Sequence, residues 1–197
     1  ALGGCAASGG SDAVPPRTAA TTAAASLEAL RSPPAERLRG EATPLAMDLE
    51  LTVDPAARGF SGTARLRIRL EKPQRYIDLH GKGLDVHKIT VTPDGGAPVA
   101  GTWQSVSESG VARITFPREL APGAMTVAID YSAPWGQLDS GLYLAPQAGV
   151  PYAFTQFEAI RARLAFPCFD EPAYKVPHRL ALRVPRGAKA IANTPQV

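Results

Sequence analysis

The sequence predicts an all-β domain of the sandwich type, built from antiparallel or mixed sheets. Apolar and polar residues alternate with a period of two along several segments, as in strands that bury one face. The 19 prolines and 18 glycines recur between these segments. Strand spacing of about a dozen residues, with no helical pattern between, is typical of sheets packed on sheets. The 197 residues are enough for one core and a tail.

Cys5 lies near the start of the chain, after Leu2, Gly3 and Gly4 and before a small, polar, glycine-rich run. These residues resemble the lipobox of bacterial lipoproteins, in which the cysteine becomes the lipidated first residue of the mature chain. More than one fatty chain on that residue is enough for stable anchoring. The resemblance predicts a lipid-anchored protein of the bacterial cell envelope that faces the periplasm or the exterior. The alternative is an unmodified cysteine in a disordered tail.

Residues 1–44 as a whole are predicted to lie outside the folded domain, as this lipobox-like start followed by a flexible linker. The stretch 9–41 is rich in alanine, threonine and proline and contains no aromatic residue. Such a composition is typical of a disordered spacer. Its alanine-rich part, residues 21–30, is compatible with a short helix.

The folded domain is predicted to span residues 45–197. In 45–53, Leu45 and every second residue after it are apolar, and residues 63–70 repeat this pattern with arginine at the alternate positions. An antiparallel pair would place Asp48 and Glu50 opposite those arginines, and each such pair contributes up to about 1 kcal/mol. The arginine row is therefore interpreted as a structural feature.

Further strands follow along the chain, separated by glycine or proline turns. They are predicted at residues 75–79, 86–92, 111–116, 125–131, 178–184 and 188–193. An extended segment is also predicted at 152–158, which would place Gln156 and Glu158 on the same face.

Composition and motifs exclude several functional classes. The formal net charge is only +3, and no cluster of cations is interleaved with exposed aromatic residues, so nucleic-acid binding is not predicted. No apolar run approaches the roughly 18 residues of a membrane span. No HExxH pair, CxxC motif, phosphate-binding glycine loop or nucleophile elbow is found. His80 is interpreted as a histidine at the end of a strand, and no disulfide is expected between Cys5 and Cys168.

The segment 154–175, FTQFEAIRARLAFPCFDEPAYK, resembles the segment that characterises the amino-terminal domain of zinc aminopeptidases of the M1 (gluzincin) family. There Thr-Gln-Phe-Glu, a short Ala- and Arg-rich turn and Pro-Cys-Phe-Asp-Glu-Pro follow in this order and spacing. Residues 47–70 are similar to the family's opening strand pair, residues 76–91 to the next stretch, and SGLYL at 140–144 to the family's Gly-Leu-Tyr. The resemblance covers about residues 45–197.

This resemblance implies a saddle-like β-domain that packs on a thermolysin-like domain in the same protein. In the family, the second domain carries the zinc ligands and a Gly-x-Met-Glu-Asn loop, so this segment is expected to bind no metal and to hold no catalytic residue. The family positions that match Gln156 and Glu158 reach into the active site, where the acidic residue holds the substrate's free α-amino group. A carboxylate that faces an ammonium group forms a charge-assisted hydrogen bond.

The resulting prediction is the substrate-binding, amino-terminal domain of a bacterial zinc aminopeptidase, which removes N-terminal amino acids from peptides. Its expected partners are peptides with a free N terminus and the catalytic domain of the same protein, and the isolated segment is expected to be inactive. The alternative is a free-standing, non-catalytic β-sandwich that acts as a binding or interaction module. The presence of HExxH and Gly-x-Met-Glu-Asn in the parent protein would distinguish the two.

Structural alternatives apply to each polar residue of this segment. Glu158 could be a surface carboxylate paired with Arg161 or Arg163. Asp170 and Glu171 are interpreted as parts of a capped turn that is tied to an arginine such as Arg163. Cys168, between a proline and a phenylalanine, is expected to be a small buried apolar residue because no histidine is near in sequence to activate it.

Overall fold

A computed structural model of the chain describes residues 34–196. The predictions for Cys5 and for a helix at 21–30 lie outside these residues. Within them, the regular structure consists of strands and one short 3₁₀ helix, which confirms the all-β prediction. The elements are β1 (Ala42–Thr52), β2 (Gly59–Leu70), β3 (Gln74–His80), β4 (Asp85–Pro93), β5 (Val99–Ala100), β6 (Thr102–Ser105), β7 (Val111–Leu120), β8 (Gly123–Pro134), β9 (Gly141–Gln147), β10 (Val150–Gln156), the 3₁₀ helix (Ala162–Leu164) and β11 (His178–Arg183).

The larger sheet has six strands in the order β11-β1-β2-β8-β4-β5. The β1–β11 pair is parallel and the other pairs are antiparallel, so the sheet is mixed. The arginine row of β2 lies on its polar face: Arg65 donates to Glu50 at 2.6 Å, and Arg67 pairs with Asp94 at the end of β4. The structural interpretation of these arginines is therefore confirmed.

A three-stranded sheet, β3-β7-β6, contributes the other layer of the core. The inward side chains of both sheets form one buried cluster, in which each large apolar residue contributes about 1.5–3 kcal/mol. Its members include Leu66, Ile68, Ile77, Leu79, Ile114, Phe116, Met125, Val127 and Ile129. Two apolar layers that face each other in this way confirm the sandwich-type prediction.

The opposite face of the smaller sheet carries buried polar groups. The Arg113 guanidinium donates to both carboxylate oxygens of Asp78, at 2.7 and 2.8 Å, and lies 3.8 Å from the ring centroid of Tyr76. The side chains of Asp78 and Arg113 are only 1% and 5% exposed. His80, at the end of β3, lies on the same face by strand alternation and is fully buried.

Residues 34–41, from the predicted linker, are attached to the domain near this face, where the Glu36 carbonyl lies 3.3 Å from Nε2 of His80. The Ser109 hydroxyl donates to the carbonyl of Ala35 at 2.6 Å, and the Leu38 amide donates to Glu171 at 2.6 Å. Strand β1 then begins at Ala42, so it includes three residues of the predicted linker. The segment that leads into β1 is thus attached to the domain by specific hydrogen bonds.

Three predictions about strands were wrong or incomplete. Leu45 is 36% exposed and does not join the inward row of β1, because the register shifts between Pro44 and Ala46. Residues 188–193 form no strand, and Ile191 is 94% exposed. The short strands β5, β6 and β9 were not predicted. Residues 34–196 contain no helix with the length and apolar character of a membrane span.

Candidate functional site

The site is presented by a two-stranded hairpin, β9–β10. Gln156, the last residue of β10, pairs with Gly141 at the start of β9, and Phe154 pairs with Tyr143. The rings of Phe154 and Tyr143 stack with their centroids 6.1 Å apart. Strand alternation places Gln156 on the same face of the hairpin as this aromatic pair. Its amide therefore lies exposed at the edge of an aromatic surface.

Apolar side chains continue along that face of the hairpin. Val150, Tyr152 and Phe154 are 52%, 48% and 45% exposed and occupy alternate positions of β10. We call these three residues the apolar hairpin face. Apolar residues grouped in this way are typical of a surface that contacts another protein or domain.

Glu158 follows in a turn, not in the strand. β10 ends at Gln156, and the amide of Arg161 donates to the carbonyl of Phe157 at 2.9 Å, which closes the turn. The peptide bond between Glu158 and Ala159 is cis. Because the strand ends at Gln156, the prediction that the chain is extended through Glu158 was wrong; Gln156 and Glu158 are both exposed.

The turn rests on the core through aromatic contacts and one buried hydroxyl. The Phe157 ring packs edge-on against Phe166 at 5.4 Å, just after the 3₁₀ helix. The hydroxyl of Tyr131 on β8 donates to the carbonyl of Ala165 at 2.9 Å. Burial raises the pKa of Tyr131 strongly, so this hydroxyl stays protonated and remains a donor.

Glycine is required where the hairpin meets the 3₁₀ helix. Gly141 has a φ of +70°, and a Cβ at this position would lie 2.9 Å from the Cβ of Leu164. A larger residue would therefore combine backbone strain with a steric clash. This close approach fixes the start of β9 against the segment that follows Glu158.

Arg163, in the 3₁₀ helix, forms hydrogen bonds that hold Asp170 and the residues between them in place. Its side chain is 5% exposed, and its Nε donates to Asp170 Oδ2 at 2.9 Å. The other guanidinium nitrogens donate to the carbonyls of Asp170 and Ser109, at 2.9 and 2.8 Å. Glu171 accepts the Leu38 amide, as described above. Both carboxylates are thus structural, and the predicted tie between the turn and Arg163 is confirmed.

The ion pair considered for Glu158 is not formed among residues 34–196. Arg163 is engaged with Asp170, and Arg161 donates to the backbone carbonyl of Asp139. Glu158 is exposed at the surface, two positions after Gln156 in the chain. It is therefore available to a positively charged group from another molecule or domain.

Two further residues of this region are buried. Cys168 is 6% exposed, and burial raises the pKa of its thiol well above the ordinary value, which confirms the prediction of a small buried residue. Its backbone pairs with that of His80. The contact of His80 with this segment could not be predicted from the sequence, because the two stretches are far apart along the chain.

Metal binding was also considered. Among residues 34–196, no group of three or more His, Cys, Asp or Glu side chains is placed to hold a metal ion. An open groove of about 510 Å³ lies at the β1–β2 turn, and neither Gln156 nor Glu158 lines it. The candidate site consists of the exposed Gln156 at the end of β10 and the exposed Glu158 in the turn that follows.

Comparison with protein families gives one match that covers most of the chain. The model of the peptidase M1 N-terminal domain matches residues 43–197. The matched range includes every strand described above except the first residue of β1.

Individual relatives agree with this match. The chain is 33% identical over 172 residues to aminopeptidase M1-B of Oryza sativa, an alignment that covers 82% of this chain and 19% of the relative. It is 35% identical over 155 residues to aminopeptidase N of Lactobacillus delbrueckii, covering 76% of this chain and 17% of that protein. It is 29% identical over 157 residues to aminopeptidase N of Acetobacter pasteurianus, and this alignment covers 77% of this chain and 43% of that protein. The chain thus spans less than half the length of these relatives.

Proposed function

The chain belongs to the peptidase M1 N-terminal domain family, and on this basis we propose that it is the substrate-amine-binding domain of a zinc-dependent aminopeptidase. The relatives named above are aminopeptidases, two of them from bacteria. In the proposed enzyme, Glu158 binds the free α-amino group of a peptide and Gln156 contacts the same end of the substrate. The parent protein would release N-terminal amino acids, and the segment alone would be inactive.

The observation that carries this proposal is the exposed Glu158 carboxylate on a rigidly supported turn. Both neighbouring arginines have other partners, so no cation of the described residues neutralises it. A carboxylate in this state forms a charge-assisted hydrogen bond with an ammonium group, and a partly desolvated pocket strengthens that bond. A peptide with a blocked N terminus cannot form it. The arrangement therefore favours exopeptidase specificity.

Zinc belongs to the proposed enzyme but does not fit the described part of this chain. His80 is buried with both ring nitrogens in hydrogen bonds, and no cluster of ligands is placed for a metal within residues 34–196. The metal would therefore be bound by the remainder of the parent protein. No step of the reaction is assigned to a metal on this chain.

The apolar hairpin face is the proposed contact surface for the catalytic domain. It shares its side of β10 with Gln156, and Glu158 follows in the next turn, so we expect a domain that covers this face to lie near the amine-binding carboxylate. The relatives are much longer than this chain, which leaves room in the parent protein for such a domain. Covering the face would also remove apolar surface from water.

The lipid anchor remains a separate proposal. It rests on the sequence Leu-Gly-Gly-Cys at positions 2–5, which is typical of bacterial lipoproteins, and it would place the enzyme in the cell envelope. Metabolic labelling with an alkyne fatty acid tests it: the full-length protein should be labelled in bacteria, and Cys5→Ala should not. Equal labelling of the two proteins, or none of either, would contradict the anchor.

The amine-binding proposal predicts the behaviour of Glu158→Ala and Glu158→Gln in the full-length protein. Hydrogen bonds to charged groups contribute about 1.5–3 kcal/mol, which corresponds to a decrease in kcat/KM of about 10- to 100-fold. The measurement is hydrolysis of an alanyl or leucyl aryl amide with a free amino group. Glu119→Gln, an exposed carboxylate on β7, is the matched control and should retain activity.

Two results would contradict the proposal. Wild-type turnover by Glu158→Ala would show that another group binds the amine. Full-length wild-type protein that hydrolyses none of these amides would instead favour the non-catalytic binding module.

A further inference from the structure

The imidazole of His80 lies between two segments that are distant in sequence. Its Nδ1 accepts the backbone N–H of Asp170 at 3.1 Å, and its Nε2 lies 3.3 Å from the carbonyl of Glu36. A nitrogen that accepts a hydrogen bond carries no proton, so the proton is on Nε2, which donates to Glu36. The bond to Asp170 therefore requires the neutral ring.

The backbone of His80 holds the same segment a second time. Its N–H donates to the carbonyl of Cys168 at 2.7 Å, and the Cys168 N–H donates back at 2.9 Å. Together with the imidazole, three hydrogen bonds connect the end of β3 to residues 168–170. This is a firm attachment for a stretch without regular secondary structure.

Arg163 extends this connection to the turn that contains Glu158. It binds both the carboxylate and the carbonyl of Asp170, and it lies within the 3₁₀ helix that starts four residues after Glu158. Polar contacts therefore run without interruption from His80 through Asp170 to Arg163.

We propose that His80 is a positioning residue for Glu158: its neutral imidazole fixes Asp170, and Asp170 fixes Arg163 and the turn. The inference rests on the proposed function, since it concerns how well the carboxylate is placed for a substrate amine. A misplacement of about 1 Å is enough to lower enzyme activity substantially.

The charged groups around His80 are consistent with this arrangement. Burial, followed by the positive charge of Arg163, lowers the pKa of His80, while the Glu36 carbonyl and the carboxylates of Glu171 and Asp170 act in the opposite direction. The net effect favours the neutral ring, which is the form that accepts the Asp170 amide.

Two substitutions separate the two hydrogen bonds of the ring. In His80→Asn, the side-chain oxygen occupies the place of Nδ1 and still accepts the Asp170 amide, but the bond to Glu36 is lost. In His80→Gln, the terminal amide replaces Nε2 and still donates to Glu36, but the acceptor for Asp170 is lost. Both variants remove one hydrogen bond from a buried site, so they should be destabilised to a similar extent.

In the full-length protein, His80→Gln should raise KM for a free-amine peptide amide by about tenfold, with a smaller change in kcat. His80→Asn should raise KM much less. Ser109→Ala loses the bonds of the Ser109 hydroxyl to the Ala35 carbonyl and to Ser107 but keeps the backbone carbonyl that accepts from Arg163. It is a control for loosening of residues 34–38 and should leave KM unchanged. Equal increases of KM in both His80 variants would contradict the proposal and indicate a general effect on stability.

Amide hydrogen exchange provides a measurement that does not depend on activity. Residues 157–170 should exchange faster in His80→Gln than in wild type or His80→Asn. Unchanged exchange in His80→Gln would overturn the proposal. If the wild-type protein hydrolyses no peptide, the proposed function fails, and the exchange rates still decide whether His80 holds the turn.

Discussion

The two-sheet core and the β9–β10 hairpin differ in how they bury apolar surface. In the core, β2 and β8 pair along twelve residues each, and inward side chains such as Ile68 and Ile129 are fully buried. In the hairpin, only two strands pair, and Val150, Tyr152 and Phe154 remain about half exposed. The apolar side chains of the core are thus buried among the described residues, whereas the hairpin leaves apolar side chains exposed, and these form the proposed contact surface for another domain. Stability and proposed function are located in different parts of the molecule.

The largest effect on stability is expected from the buried ion pair between Asp78 and Arg113 on the smaller sheet. Asp78→Ala leaves Arg113 as a buried charge without its carboxylate, and breaking such pairs costs about 3–5 kcal/mol. The free energy of unfolding of the 197-residue chain, measured with urea, should fall by this amount. Asp94→Asn breaks the exposed pair with Arg67 and should lower the free energy of unfolding much less, because solvent screens exposed pairs. Equal losses of unfolding free energy in Asp78→Ala and Asp94→Asn would contradict the expectation that the buried pair stabilises the domain more than the exposed pair.

A smaller effect should appear as pH falls. Above the ordinary pKa of 6.5, His80 is neutral in both the folded and the unfolded chain. Because its pKa is lowered in the folded state, only the unfolded chain binds the proton between the folded pKa and 6.5. Stability should therefore decrease as pH falls through this window.

Comparison of the wild type with His80→Asn isolates the contribution of His80 to the pH dependence of stability, because the two proteins have all other titrating groups in common. Urea unfolding at pH 7.5 and 5.5 should show a smaller pH dependence in the variant than in wild type. The same pH dependence in both would mean that His80 is not held in its neutral form.

The smallest effect on the stability of the chain itself is expected from a substitution in the β9–β10 hairpin. Tyr152→Ser should change its free energy of unfolding by about 0.5 kcal/mol or less, because the side chain is half exposed. In the full-length protein the same change should lower Tm more than in the chain alone, since the catalytic domain would cover this residue. Arg69→Ser, at an exposed position of β2, should show no such difference. A Tyr152 effect of equal size in both proteins would show that nothing covers the hairpin.

The burial and length of each strand explain how much of the fold could be predicted from the sequence. β1, β2 and β8 each bury one face, so their alternating residues identified them. β5 and β6 have two and four residues, too few for a periodic pattern to be recognised. Residues 188–193 have alanine at every second position, but the described residues provide no neighbouring strand for that segment, so it did not form a strand.

The site was predicted only in part, for a related reason. The resemblance identified Gln156 and Glu158 as candidates, and both residues are exposed in the structure. The period-two pattern of a strand did not predict the conformation at Glu158, because the chain turns after Phe157. The Arg161 amide donates to the Phe157 carbonyl in this turn. The contact between His80 and Asp170 joins residues 90 positions apart. Only the folded topology brings such residues together.

The most direct test of the central claim is a crystal structure of the full-length protein with a bound peptide analogue that carries a free α-amino group. We predict that the amine nitrogen lies within about 3 Å of a Glu158 carboxylate oxygen. The side chain of Gln156 should contact the same ligand. An amine held by other groups, with Glu158 in solvent or paired with Arg161, would contradict the assignment of this turn as the amine-binding site.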